Sequence, residues 1–335
     1  MNVKQWLAEK ASERQKKSMP ILSFPGVELI ETTVGALVKD AALQAKLLKA
    51  VADRTPSLAA VSPMDLSVEA ECFGAPVLFE EGEIPTVTGA VVTSIEEAEN
   101  LRVPSVGECR TGVCIEGMKL AKQQITDRPV FAGVIGSYSL AGRLLDVTEA
   151  LVYCYTDPDL LHVVLEKATD FLVEYIRAFK NAGLDGVVIA EPLAGLLSLE
   201  LAEEFSEPYI RRIVEEVQSD DFIVIYHNCG DTALQIMPSI LNTGAAAYHF
   251  GNAVKMIDVL KAVPSNCIVM GNIDPAGEFK NGTPESIRAA TLALLEECAS
   301  YPNFLISSGC DIPPQAKWEN IDAYYAAIAE FYAKK

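Results

Sequence analysis

Three residues carry the strongest chemical signal in this sequence: His227, Cys229 and Cys310. His227 and Cys229 are one residue apart, and on an extended segment a period of two puts both side chains on one face. Glycine flanks the set, at Gly230 and Gly309. One imidazole with two thiolates is a borderline-soft donor set that suits Zn²⁺. It leaves one coordination position for water or substrate, the mark of a catalytic site rather than a structural one. The competing reading stays open on spacing alone: free Cys is often a small buried hydrophobe, and a strand-end His is often simply hydrogen-bonded.

Those residues need elements to position them. From about residue 128 onward, short runs rich in Val, Ile and Ala alternate with longer helical patterns. The runs cover 130–135, 186–190, 222–226, 245–250, 267–270 and 304–307, with 57–61 as an earlier member. Continuous apolar strands between helices indicate a parallel sheet covered on both faces. One helix is plain: Asp157 and Pro158 open it, an apolar stripe from Leu160 to Phe179 follows, and Gly183 stops it. A second stretch, 198–218, carries Pro208 inside it, so two helices or one kinked helix are expected.

We expect an α/β fold, a (β/α)₈ TIM barrel with N-terminal helical and extended additions, forming one domain over residues 1–335. Within it, 1–55 reads as a helical N-terminal segment and 66–104 as an excursion near the barrel mouth. No G-x-G-x-x-G follows a strand and no P-loop occurs, which weakens dinucleotide and nucleoside-triphosphate readings. No G-x-S-x-G elbow supports a serine hydrolase.

In such a barrel the active site lies at the C-terminal ends of the strands. The residues ending the runs are therefore candidates. Catalytic roles are expected for Glu191, His249 and Asn272, and cofactor-binding roles for Tyr138 and Asp65. Glu191 and Asp65 have an alternative, capping a helix or bridging loops. Cys72, Cys154, Cys267 and Cys298 sit in apolar runs and read as core. His162 lies off its helix's apolar stripe and reads as a solvated surface residue.

Composition limits the partners. The chain has 335 residues, 50% hydrophobic and 22% charged, with a formal net charge of −19. The apolar fraction supports a large core and excludes global disorder. The acidic balance opposes nucleic acid and anionic membranes, and the one basic run, 14–17, reads as a solvated helix end. The N-terminus lacks the apolar region of a signal peptide, and no stretch approaches a membrane span. With eight Cys this predicts a reducing, cytoplasmic setting with free thiols or metal ligands.

Three stretches together resemble a known family: 226–230 (YHNCG), 271–275 (GNIDP) and 308–310 (SGC), supported by 68–74, 85–89 and 191–192. They resemble the uroporphyrinogen decarboxylase superfamily and, more narrowly, its zinc-dependent corrinoid methyltransferases. The resemblance implies that His227, Cys229 and Cys310 are zinc ligands on a TIM barrel. It implies methyl transfer between a corrinoid on a partner protein and a small thiol such as coenzyme M. The reverse order also fits: removal of a methyl group from a methoxylated or methylamine-type donor onto the corrinoid protein. A reading of another class is a non-catalytic zinc or corrinoid-binding scaffold.

Haem-pathway decarboxylation is disfavoured, because no Arg-rich N-terminal motif is present and the strand ends offer few cationic groups. The sequence departs from the methyltransferases where an acidic fourth zinc ligand belongs: Gly251 or Asn252 stands there. Water, a substrate atom or His249 is expected in the fourth place, and His249 is expected one shell out.

Overall fold

The computed structural model describes residues 1–334. Its strands are β1 (Ala60–Val61), β2 (Val77–Leu78), β3 (Thr86–Val87), β4 (Val130–Ile135), β5 (Gly186–Ala190), β6 (Ile223–Asn228), β7 (Ala247–Phe250), β8 (Ile268–Ile273) and β9 (Phe304–Ser308). Seven of them form one parallel sheet in the order β1-β4-β5-β6-β7-β8-β9. β2 and β3 form a separate antiparallel hairpin.

The gap between β9 and β1 is closed by residues 18–21. The Met19 amide donates to Ile306 O at 3.2 Å, and the Leu58 amide donates to Ser18 O at 2.9 Å. The chain thus makes an eighth stave of a TIM barrel from an extended piece. This corrects the expectation that 1–55 is helical throughout. Helices occupy Val3–Ser12, Gly26–Leu29, Val34–Leu37 and Ala41–Arg54, and the stave lies between the first two. Lys16, expected to be solvated, is buried and clamps the start of β9 by donating to the carbonyls of Tyr301 and Phe304 at 2.9 and 3.0 Å.

Period-two alternation divides the core. Ile223 and Ile225 of β6, Val188 and Ala190 of β5, Ala247 of β7, Met270 of β8 and Leu305 of β9 fill the barrel. Their alternates, such as Val187, Val224, Tyr226, Tyr248 and Val269, face the helical shell. At the N-terminal end of the strands the interior is plugged by Val3, Leu7 and Ala11 of the first helix.

Helix Pro158–Asn181 starts at the Asp157 cap and buries Leu160, Val164, Phe171 and Ile176. The stretch around Pro208 is two helices, Leu199–Phe205 and Glu207–Val217, with Pro208 in the first turn of the second, where its missing N–H costs nothing. The 66–104 excursion holds helix Val68–Cys72, the hairpin and helix Ile95–Asn100. Among the described residues no helix is long and apolar enough to cross a membrane.

Candidate metal centre at the barrel mouth

The inward rows end in polar residues. His227 extends the Ile223–Ile225 row of β6, His249 extends Ala247 of β7, and Ser307 extends Leu305 of β9. The parallel register sets His227 beside His249, which puts both rings at one level of the barrel. Each of the three residues is at least 98% buried.

Above this layer the ligand atoms of His227, Cys229 and Cys310 all lie within 4.8 Å of one another. His227 Nε2 is 3.4 Å from Cys310 Sγ. Among the described residues no other group of His, Cys, Asp or Glu converges in this way. One nitrogen and two sulfurs at this spacing match the demands of a tetrahedral zinc site with one position left over.

The chain of hydrogen bonds below fixes the imidazole. The Ser307 hydroxyl donates to Met19 O at 2.8 Å, so it can only accept from His249 Nε2–H, also at 2.8 Å. Burial holds His249 well below the usual imidazole range, with His227 adding to the effect, so its ring is neutral and Nδ1 is bare. That nitrogen accepts from His227 Nδ1–H at 2.8 Å. With its Nδ1 side committed to His249, His227 presents Nε2 to the two sulfurs, 3.4 Å from Cys310 Sγ.

The thiols also depend on each other. The hydrogen bond from Cys310 holds the Cys229 thiol low, with His227 adding to it, and the same contact pushes Cys310 up. Together they store one thiolate, the form that ligates metal.

Glycine makes the convergence possible. A Cβ at Gly251 would stand 2.6 Å from both Cα and Cβ of Cys229. A Cβ at Gly309 would stand 2.8 Å from Asn252 Oδ1. Position 251 therefore has no room for an acidic ligand.

The other expected residues sit elsewhere. Glu191 is fully buried, and its carboxylate accepts from the amides of Tyr138 and Ser139 at 3.1 and 2.6 Å, at the N-terminus of helix Ser137–Leu145. It is the helix's anionic seat, the alternative considered above, and burial raises it to about 7. Tyr138 is 1% exposed, with its hydroxyl 3.6 Å from Cys154 Sγ, so the ring belongs to the helical shell rather than to a cofactor pocket.

Asp65 is buried against Arg110, which also reaches Glu71 and Ser67. Its charge is thereby matched, and it ties the loop after β1 to helix Cys109–Gln124. Asn272 donates to Gly251 O and Val254 O at 2.9 and 2.8 Å, holding the loop that carries Gly251 beside Cys229.

His162 stacks on Phe205 at 4.8 Å and bonds Tyr209, so it is more packed than a solvated residue. Of the four cysteines read as core, Cys72, Cys154 and Cys298 are buried and Cys267 is half-buried.

Two contributors were not legible as site residues. Ser307 has no motif of its own, and only its register between β8 and the 18–21 stave reveals its part. Asp311 follows Cys310, accepts from the Met64 amide at 3.2 Å and leaves Oδ1 buried without a partner.

Residues 26–331 match uroporphyrinogen decarboxylase (URO-D). The chain belongs to the uroporphyrinogen decarboxylase family. Its relatives within that family include the methylcobamide:CoM methyltransferase MtbA of Methanosarcina acetivorans, 30% identical over 75% of this chain and 73% of the relative. They also include the uroporphyrinogen decarboxylase of Alcanivorax borkumensis, 26% identical over 89% of this chain and 86% of the relative. A solved structure described as a methyltransferase from Methanosarcina mazei superposes with a TM-score of 0.86 over 98% of each chain, at 23% identity, which establishes the shared barrel.

Proposed function

We propose that this chain is a zinc-dependent enzyme that moves a methyl group between a corrinoid held on a partner protein and a small thiol of the coenzyme M kind. The observation that carries the reading is the convergence of His227, Cys229 and Cys310 at the barrel mouth with no fourth protein ligand among the described residues. A zinc ion held by these three side chains would keep a thiol substrate as its thiolate at neutral pH, the nucleophile that methyl transfer needs.

The chain's own residues prepare that site. Ser307 and His249 form a hydrogen-bonded chain behind His227 that orients its ring with Nε2 toward the cysteines. Gly251 lets the 251–252 segment pack directly on Cys229, and Gly309 lets it approach the loop that carries Cys310. Asn272 fixes the loop behind Cys229. The likeness to methylcobamide:CoM methyltransferases supports the choice of methyl transfer within the family.

The activity for which the family is named fits less well. A tetrapyrrole with many carboxylates asks for several cationic groups, and the buried Arg110 is already committed to Asp65 and Glu71.

The test is direct. The purified chain should hold about one Zn²⁺ and should transfer the methyl group of free methylcobalamin to one or more of a panel of thiols. Transfer from a methoxylated or methylamine donor onto reduced cobalamin, with no thiol methylated, would reverse the assignment. Conversion of uroporphyrinogen to coproporphyrinogen would overturn it. Zinc binding with no methyl transfer in either direction would leave a binding scaffold.

A further inference from the structure

We propose that Cys72 and Cys109 form a reversible oxidation site, in which a small disulfide converts the two thiols into a cross-link that closes the base of the 73–108 segment. Cys72 ends helix Val68–Cys72 and Cys109 opens helix Cys109–Gln124. Neither thiol belongs to the His227–Cys229–Cys310 set. The chain between them holds the β2–β3 hairpin and helix Ile95–Asn100.

The two helix ends are held against each other. Arg110 Nε donates to Glu71 Oε2 at 2.5 Å, which joins the residue before Cys72 to the residue after Cys109. The other nitrogens of Arg110 reach Asp65 and, at 2.8 Å, the Ser67 hydroxyl. Cys72 Sγ lies 3.6 Å from the carbonyl oxygen of Glu108, the residue before Cys109. The Cys72 thiol is also in hydrogen-bond contact with the Cys109 thiol. The turn on the Cys109 side is fixed in its own right. The Glu108 carboxylate accepts from Arg102 at 3.0 and 2.7 Å and from the Ser105 amide at 2.9 Å, and the Gly107 amide donates to the Thr111 hydroxyl at 3.0 Å.

The thiols differ in the way that such a pair requires: Cys109 is exposed and Cys72 is buried. Burial pushes the Cys72 thiol up to about 12, with the charge of Cys109 adding to it, so Cys72 keeps its proton while Cys109 meets the solvent. Cys109 Sγ, as its thiolate, attacks one sulfur of the small disulfide. A mixed disulfide forms on Cys109 and the first thiolate leaves. Cys72 then gives up its proton, no longer opposed by a charge on Cys109. Its sulfur attacks Cys109 Sγ and expels the second thiolate. The two cysteines lose two electrons and two protons, and the small disulfide takes up both and leaves as two thiols.

The position of the cross-link gives it a consequence. It turns residues 73–108 into a closed loop, which restricts the opened states of that segment and makes local opening rarer.

The experiment uses the full chain, with zinc present throughout, as wild type, Cys109→Ser and Cys72→Ala. Each is treated with excess oxidised glutathione, alkylated and digested for peptide mapping by mass spectrometry, which reads Cys229 and Cys310 in the same digest. Wild type should give a linked Cys72–Cys109 peptide that dithiothreitol removes. Cys72→Ala should stop at the glutathione adduct on Cys109, and Cys109→Ser should leave Cys72 unmodified. Hydrogen exchange within 73–108 should slow about tenfold or more in the oxidised wild type, and should not change on the same treatment of Cys109→Ser. Cys109→Ser is a change at an exposed position, so with the wild-type map it decides the matter even where Cys72→Ala does not fold.

A glutathione adduct on Cys109 that persists in wild type beside a free Cys72 thiol would overturn the proposal. So would a Cys109 that glutathione disulfide never modifies, or a link confined to Cys229 and Cys310. A Cys72–Cys109 link that leaves exchange in 73–108 unchanged would overturn the closure of that segment.

Discussion

The two ends of the barrel are built from the same strands and carry opposite chemistry. At the N-terminal end of the strands, helix Val3–Ser12 closes the interior with Val3, Leu7 and Ala11 against apolar side chains. At the C-terminal end the same inward rows turn into His227, His249 and Ser307, with Cys229 and Cys310 beyond them. The lower end gains stability from apolar burial. The upper end holds buried polar groups that oppose folding, including Glu69 and Glu191, each raised to about 7 by burial. One end thus stabilises what the other strains, and substitutions at the two ends should separate function from stability.

The largest effect should come from the upper end. Cys229→Ala or Cys310→Ala should abolish most zinc binding and lower kcat/KM at least about 10³-fold, roughly 4 kcal/mol. Metal analysis beside the methyl-transfer assay checks it. Zinc retained in both variants would mean that the two ends do not differ as described.

At the lower end, Leu7→Ala should cost about 3 kcal/mol of stability by opening a cavity in the plug. The rate per folded molecule should stay near wild type. Denaturant unfolding and an active-site-normalised rate measure the two quantities. A fall in rate at full folding would tie the lower end to the site.

Glu69 sharpens the contrast through pH. Its carboxylate accepts from the Ile135 amide while its second oxygen has no partner, and burial raises it from about 4.5 to about 7. Between those values the folded chain holds a proton that the unfolded chain has released. The resulting stability is complete below about pH 4.5 and is lost as the pH rises to about 7. Glu69→Gln removes this proton-linked loss and should flatten the stability-against-pH curve over that window by up to about 3 kcal/mol. Unfolding curves at about pH 5 and about pH 7.5 decide it, and a slope unchanged by the substitution would sink the argument.

The smallest effect is the most discriminating. His249→Ala should lower the methyl-transfer rate about 10- to 100-fold while most zinc remains bound, because it removes the acceptor that sets the His227 tautomer but not a ligand. Parallel loss of zinc and activity would make His249 a ligand itself.

How much of this was legible from the sequence depends on the range of the interaction. The strand runs 130–135 and 186–190 are observed at those bounds, because buried parallel strands are apolar on both faces and end where polar residues begin. The eighth stave was not legible: residues 18–21 carry no strand pattern distinct from their helical surroundings, and they are held in place by hydrogen bonds to Ile306 and Leu58, far away in the chain. For the same reason Lys16 looked like surface until β9 placed three carbonyls around it. Glu191 and Tyr138 were read as site residues because strand ends point to the mouth. Local geometry turned both into the helical layer, where the amides at a helix N-terminus offered a carboxylate more hydrogen bonds than an open pocket would.

By itself, then, the sequence determined the donor chemistry. One imidazole and two thiols at strand ends supply soft donors, and the spacing of two that puts His227 and Cys229 on one face is a local property. Only the tertiary structure decided that Cys310 meets His227, that His249 and Ser307 line up behind the His227 ring, and that Gly251 packs directly on Cys229. Each of those depends on the register between strands distant in sequence. Register is set by the packing of whole inward rows, not by any residue that the site itself contains.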